Sequence, residues 1–147
     1  ISFFRDLTDE QLEKGAENAQ AAEFIAGKDG HMEAEVTVRG NNLSGGQKQR
    51  LLISRALAAD PEILVLDDSS SALDYKTDAN LRRALRENYR NTTTVLIAQR
   101  VSSVQDADMI VVLDNGQVSA VGNHDELMQT SPIYQEVYYS QQKGGLE

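Results

Sequence analysis

The sequence predicts an α/β fold, and three observations carry that reading. Short apolar runs at residues 63–66, 93–98 and 109–113 alternate with stretches of helical periodicity. The first of them, at 63–66, is continuous rather than alternating, which suits a strand buried on both faces of a parallel sheet. An Asn115-Gly116 pair separates the third run from a fourth, and Asn-Gly accepts the positive φ that a hairpin turn needs. A chain of 147 residues allows one domain, or two small subdomains sharing a core.

The elements follow in order. Residues 7–24 read as a helix: Thr8 is a good N-cap, Gln11 completes a capping box, and Leu7 with Leu12 would form the accompanying staple. Leu12, Ala16 and Ala19 fall on one face of it. Residues 27–42, with their glycines and charges, read as irregular loop holding a short extended piece at 35–38. A second helix starts at Ser44 or just after and runs to residue 59, burying Leu52, Ile53, Ala56 and Leu57 before Asp60-Pro61 stops it. The strand at 63–66 ends in Asp67-Asp68, and residues 73–89 form a helix with Leu81 and Leu85 inward. Strands at 93–98, 109–113 and 117–121 follow, then helices at 125–129 and 132–142. No internal repeat is visible.

Composition excludes several classes of function. Lys and Arg number 14 against 23 Asp and Glu, a net charge of −9. A chain this acidic is a poor binder of nucleic acid or of anionic lipid, so neither is expected as a direct partner. With no cysteine there is neither a disulfide nor a Cys-based metal site. The longest aliphatic runs are far too short to span a bilayer. No signal-peptide pattern opens the chain, and a start at Ile1 without Met predicts a fragment or a processed chain.

Four stretches carry chemistry. In Leu43-Ser44-Gly45-Gly46-Gln47 two glycines let the backbone approach another group closely at the start of a helix. Free N–H groups, the positive end of the helix dipole and the Ser44 hydroxyl make an anion site there, best suited to phosphate. Asp67 and Asp68 stand at the C-terminal end of a parallel strand, where α/β folds bind ligands. Asp67 could hold Mg²⁺ through water, and Asp68 could orient or deprotonate an attacking water. Ser71-Ala72-Leu73-Asp74 is a tight turn feeding the next helix, and Gln99 places a polar group at the end of the following strand. Taken singly, these stretches are also explained by a Ser-capped helix, two solvated aspartates, a capped turn and a solvated loop.

Together, in this order and spacing, they resemble the nucleotide-binding domain of ATP-binding cassette (ABC) proteins over nearly the whole chain. Residues 43–47 match the family's signature motif, 63–67 its Walker B strand and 71–74 its D-loop, while Gln99 falls on its switch-histidine position. Gly122-Asn123-His124-Asp125-Glu126-Leu127 resembles the Gly-Thr-His-x-Glu-Leu run of the exporter branch, and Pro132-Ile133-Tyr134 its C-terminus. Glu35, Val36, Arg39 and Gly40 match the exporter loop that senses transmembrane domains, with Val38 in place of a glutamate.

The resemblance implies a P-loop NTPase (RecA-like) core, present as its C-terminal part: residues 1–60 form a helical subdomain and 61–147 half of the ATPase core. No Gly-x-x-x-x-Gly-Lys-[Ser/Thr] occurs, so truncation before the Walker A loop and the Q-loop is expected, and these residues alone should not bind ATP tightly. ATP and Mg²⁺ are the implied cofactors, and the cytoplasmic face of the cell membrane the implied location. Ser44, Gly45, Gly46, Gln47 and Asp74 would contact nucleotide or the facing domain, with Asp67 on the metal.

Asp68 replaces the family's glutamate and Gln99 its histidine. Asp is one methylene shorter, and Gln cannot carry a proton as imidazole does. Both changes fall on the chain's own site, whereas the signature serves the partner's. A heterodimer with a second nucleotide-binding domain, joined to exporter transmembrane domains, is therefore expected. The alternatives are a soluble ATPase of the same superfamily acting in DNA repair or translation, or a non-catalytic regulatory half of a dimer.

Overall fold

The computed structural model describes residues 1–2 and 5–143. Contacts divide the chain into a unit from Ile1 to Ile97 and another from Ala98 onward. The first holds α1 (Asp9–Asn18), α2 (Ala22–Ala26), α3 (Gly45–Leu57), β1 (Ile63–Asp67), α4 (Tyr75–Asn88) and β2 (Thr93–Ile97). The second holds α5 (Val101–Val104), β3 (Ile110–Asp114), β4 (Gln117–Gly122), α6 (His124–Thr130) and α7 (Pro132–Lys143).

Helix α1 begins with the expected capping box: the Gln11 N–H donates to Thr8 Oγ1 at 3.2 Å, and the Thr8 N–H to Gln11 Oε1 at 2.9 Å. The single helix expected over 7–24 is two. After Ala19 the chain turns left-handed at Gln20 (φ 59°), where the Gln20 N–H donates to the Glu17 carbonyl and the Ala21 N–H to the Ala16 carbonyl. That pattern is a Schellman stop, which glycine usually provides. Glutamine there costs about 1 kcal/mol and hides the break from the sequence. Helix α1 then lies directly on α3. A Cβ at Gly15 would sit 2.8 Å from both Ala58 Cβ and the Ser54 carbonyl, so only glycine allows the approach.

The loop expected over 27–42 carries 3-10 turns at His31–Glu33 and Val38–Gly40 instead of an extended piece at 35–38. Asn42 organises it: Nδ2 donates to the Glu35 carbonyl at 2.8 Å, and Oδ1 accepts from the Thr37 N–H at 3.2 Å. Val38 stands at the tip, 82% exposed.

Strands β1 and β2 pair in parallel, in register from Ile63↔Thr93 to Asp67↔Ile97. Leu64 and Leu66 bury one face with Ala19, Ile53, Leu57, Leu73, Leu81 and Tyr89, so a single core runs across residue 60. A buried leucine contributes roughly 2 kcal/mol of transfer free energy, which makes this cluster the main support of both α3 and β1. The Tyr89 hydroxyl donates to the Leu57 carbonyl at 3.2 Å, and burial, then the nearby Asp60 charge, raises its pKa. The expectation of a strand buried on both faces is corrected here. Burial alternates along β1, and Ile63, Val65, Val95 and Ile97 share an exposed face. Among the described residues of this unit, the helices pack on one side of the pair, and period-2 geometry sends every other side chain to the opposite side.

In the second unit, β3 and β4 form the expected hairpin, turning at Asn115 (φ 48°) and Gly116 (φ 77°). Helix α6 starts on a capping box between Asn123 and Glu126. Val101, Ile110, Leu127 and Tyr134 form its core. The one-turn α5 has no counterpart in the sequence reading, because four residues are too few to display a helical period.

Candidate functional site

Helix α3 begins where the glycine pair sits. Ser44 is its N-cap; the Gln47 N–H donates to Ser44 Oγ at 3.2 Å, and the Ser44 N–H to Gln47 Oε1 at 3.0 Å. This reciprocal box occupies the Gln47 amide and side chain, so Gln47 shapes the turn. The N–H groups of Gly45 and Gly46 have no acceptor within the helix. They stand at the positive end of a 13-residue helix beside the exposed Ser44 hydroxyl, a donor set for an anion. Gly46 is needed for a second reason: a Cβ there would lie 3.0 Å from the Ala72 carbonyl. The structure thus brings the glycine turn against the Ser71–Asp74 turn.

Arg50, one turn into α3, follows the glycine turn in the sequence, which gives it no role of its own. Its Nε donates to the Gly46 carbonyl at 3.4 Å and its Nη1 to the Gln20 carbonyl at 2.7 Å. Its guanidinium lies 4.7 Å from the centre of the Phe24 ring. Nothing in the local sequence gives a partner 30 residues away.

Strand β1 ends on Asp67, beside Ile97 of β2. Asp68 follows with φ 45°, its N–H donating to the Ile97 carbonyl at 2.9 Å. Its carbonyl accepts from the Ser71 hydroxyl at 2.9 Å. Both carboxylates are exposed. Asp74 caps α4: Oδ1 accepts from the Thr77 N–H at 2.9 Å and Oδ2 from the Thr77 hydroxyl at 2.7 Å. These two bonds, the backbone one first, lower its pKa.

Mg²⁺ fits this strand end in one manner. No group of three or more His, Cys, Asp or Glu able to hold a metal exists among the described residues. Asp67 would be a lone protein carboxylate for an ion that keeps several waters and takes further oxygens from phosphate.

Gln99 lies in the second unit. Its carbonyl accepts from Gln141 Nε2 at 2.8 Å, while Gln141 Oε1 accepts from the Val101 N–H at 2.8 Å. Gln141, on α7, thus fixes the backbone on both sides of Arg100 and leaves the Gln99 side chain exposed. A partner 42 residues away is invisible in the sequence.

Comparison with known proteins agrees with this geometry. The ABC transporter family model matches residues 2–71. The chain is 49% identical over 123 residues to Beta-(1-->2)glucan export ATP-binding/permease protein NdvA of Rhodopseudomonas palustris, covering 84% of this chain and 20% of that one. It is 39% identical over 136 residues to the human ATP-binding cassette sub-family B member 5, covering 92% of this chain and 11% of the relative. Among solved structures, a bacterial Atm1-family ABC exporter with ATP bound matches at a TM-score of 0.89 and 36% identity, over 95% of this chain and 25% of that one. The chain therefore spans about a fifth of the length of the bacterial relative. From the signature turn to the hairpin, it belongs to the nucleotide-binding domains of exporter-type ABC transporters and has their mixed α/β P-loop NTPase fold.

Proposed function

We propose that this chain is part of an ATP-binding and ATP-hydrolysing subunit of an ABC-type membrane exporter. In this reading its signature turn serves the ATP of a second nucleotide-binding domain, while its own site is degenerate. The carrying observation is the contrast between a fully formed donor turn at Ser44–Gly46 and an altered acid–base pair at Asp68 and Gln99. The assembly is a heterodimer at the cytoplasmic face of the membrane, with Glu and His supplied by the partner at the competent site.

ATP bound between the two domains draws them together. The Ser44 hydroxyl and the N–H groups of Gly45 and Gly46 donate to the terminal phosphate of the partner's ATP, where charge builds during transfer. Asp67 would hold Mg²⁺ at the chain's own site, where the ion would neutralise phosphate charge. Asp68 faces the attacking water one methylene short, and a misplacement near an ångström costs about a hundredfold in rate. Gln99 neither takes up nor carries a proton. Asp74 bridges to the facing domain while capping α4. Residues 1–60 act as the helical subdomain and 61–147 as part of the ATPase core. The 34–40 loop meets the transmembrane domains, and Val38 gives that contact an apolar tip. Closure and hydrolysis then drive those domains between inward and outward states.

The test is to purify the complete protein alone and with its partner subunit. Faster hydrolysis by the mixed pair is expected, together with a large loss on Ser44→Ala; equal rates for the homodimer and the pair refute the asymmetry. A non-catalytic half of a dimer is the second reading, favoured by Asp68 and Gln99 together. It predicts ATP, and no ADP, trapped at this chain's own site.

A further inference from the structure

We propose that Arg50 is a positioning residue for the phosphate-facing turn, fixing the Gly46–Gln47 peptide against the junction of α1 and α2. This rests on the reading of Ser44–Gly46 as the phosphate contact. Helix geometry sends the Arg50 side chain back toward the N-terminus of α3. There it takes the Gly46 carbonyl at 3.4 Å and the Gln20 carbonyl at 2.7 Å. The opposite edge of the same peptide, the Gln47 N–H, is held by Ser44 Oγ at 3.2 Å. The Gly46 Cα is in turn pressed toward the Ala72 carbonyl, with 3.0 Å left where a Cβ would stand. The peptide behind the glycine donors is thus fixed on three sides.

The stronger of the two Arg50 bonds goes to Gln20, a residue in the left-handed region at the Schellman stop. The Phe24 ring on α2, 4.7 Å away, completes the seat. One guanidinium therefore joins the break between α1 and α2 to the turn that meets phosphate. Its planar fork serves two carbonyls at fixed angles, which a lysine ammonium does not reproduce.

The experiment uses the complete exporter with its partner subunit and membrane domains. It compares Arg50→Met, Arg50→Lys, Gln20→Gly, the Arg50→Met/Gln20→Gly double variant and Ser44→Ala, reading kcat and KM for ATP together with the thermal midpoint. Arg50→Met should lower kcat/KM by about tenfold or more, and Arg50→Lys should fall between it and the parent. Gln20→Gly removes left-handed strain without touching the accepting carbonyl, so it restores stability to the double variant. A double variant with a recovered midpoint and still-depressed turnover supports positioning. Recovery of both, or a normal kcat/KM in Arg50→Met, overturns it and leaves Arg50 a packing residue. Unchanged turnover in Ser44→Ala overturns the phosphate reading itself, a result separable from any Arg50 outcome.

Discussion

The turn at Ser44 and the strand end at Asp67 belong to one unit and one core, yet they are built on different terms. The Ser44 turn closes most of its own hydrogen bonds: a reciprocal box with Gln47, a carbonyl held by Arg50 and a glycine seated on Ala72. At the strand end the backbone is secured through Ile97 and Ser71, while both carboxylates stand exposed. A donor turn is preorganised by a single chain, whereas an acid at a strand end depends on what other groups bring to it. On the proposed function, that difference would let an altered acid–base pair stand beside an intact donor turn.

Four substitutions break or sharpen this contrast. The largest effect is expected from Leu57→Ala. Leu57 is 1% exposed in the core shared by α3 and β1, so denaturant unfolding should show a loss of roughly 2–5 kcal/mol. Because both regions stand on that core, both should loosen together; loss at one alone would mean they are supported separately. Gly46→Ala comes next. Its Cβ pushes on the Ala72 carbonyl; on the proposed function, turnover at the partner's site should fall about tenfold or more with nucleotide occupancy at the chain's own site unchanged. Equal loss at both sites would erase the distinction between them.

A smaller change is expected from Asp68→Glu, which on the proposed function supplies the methylene that brings the carboxylate to the attacking water. Single-site turnover should rise a few-fold and stop short of full recovery while Gln99 remains; complete recovery would show that Gln99 is immaterial. Smallest is Asp74→Asn, which weakens the cap on α4. Asp74 has its pKa lowered from 3.8 by the Thr77 bonds, so its stabilising contribution is present above that pH and fades as pH falls through the lowered value. The midpoint difference between parent and variant should therefore be full at neutral pH and shrink under acid. A difference that persists unchanged below the titration would locate the effect elsewhere.

Local chemistry was legible in the sequence and long-range pairing was not. Thr8, Ser44 and Asn115-Gly116 announce their structures through partners within three residues, and the caps and the hairpin lie where the sequence puts them. Gln20 misleads, since it takes a left-handed stop that glycine would have advertised. The continuous run at 63–66 shows that β1 is apolar, but not that one of its faces lacks cover, because cover is a property of neighbouring elements. At the site, the donor turn and the acidic pair were readable as residue types. Arg50 and Gln141, which hold their neighbours through carbonyls 30 and 42 residues away, left no periodic trace.

The bare side of the parallel pair carries a practical consequence. Four aliphatic side chains, Ile63, Val65, Val95 and Ile97, make a greasy stripe on an otherwise strongly anionic molecule. Such a stripe takes up hydrophobic dyes, attracts holdase chaperones and ties solubility to whatever polypeptide seals it. Produced by itself, this chain would depend for its yield on the timing of that seal as much as on the strength of the core beneath it.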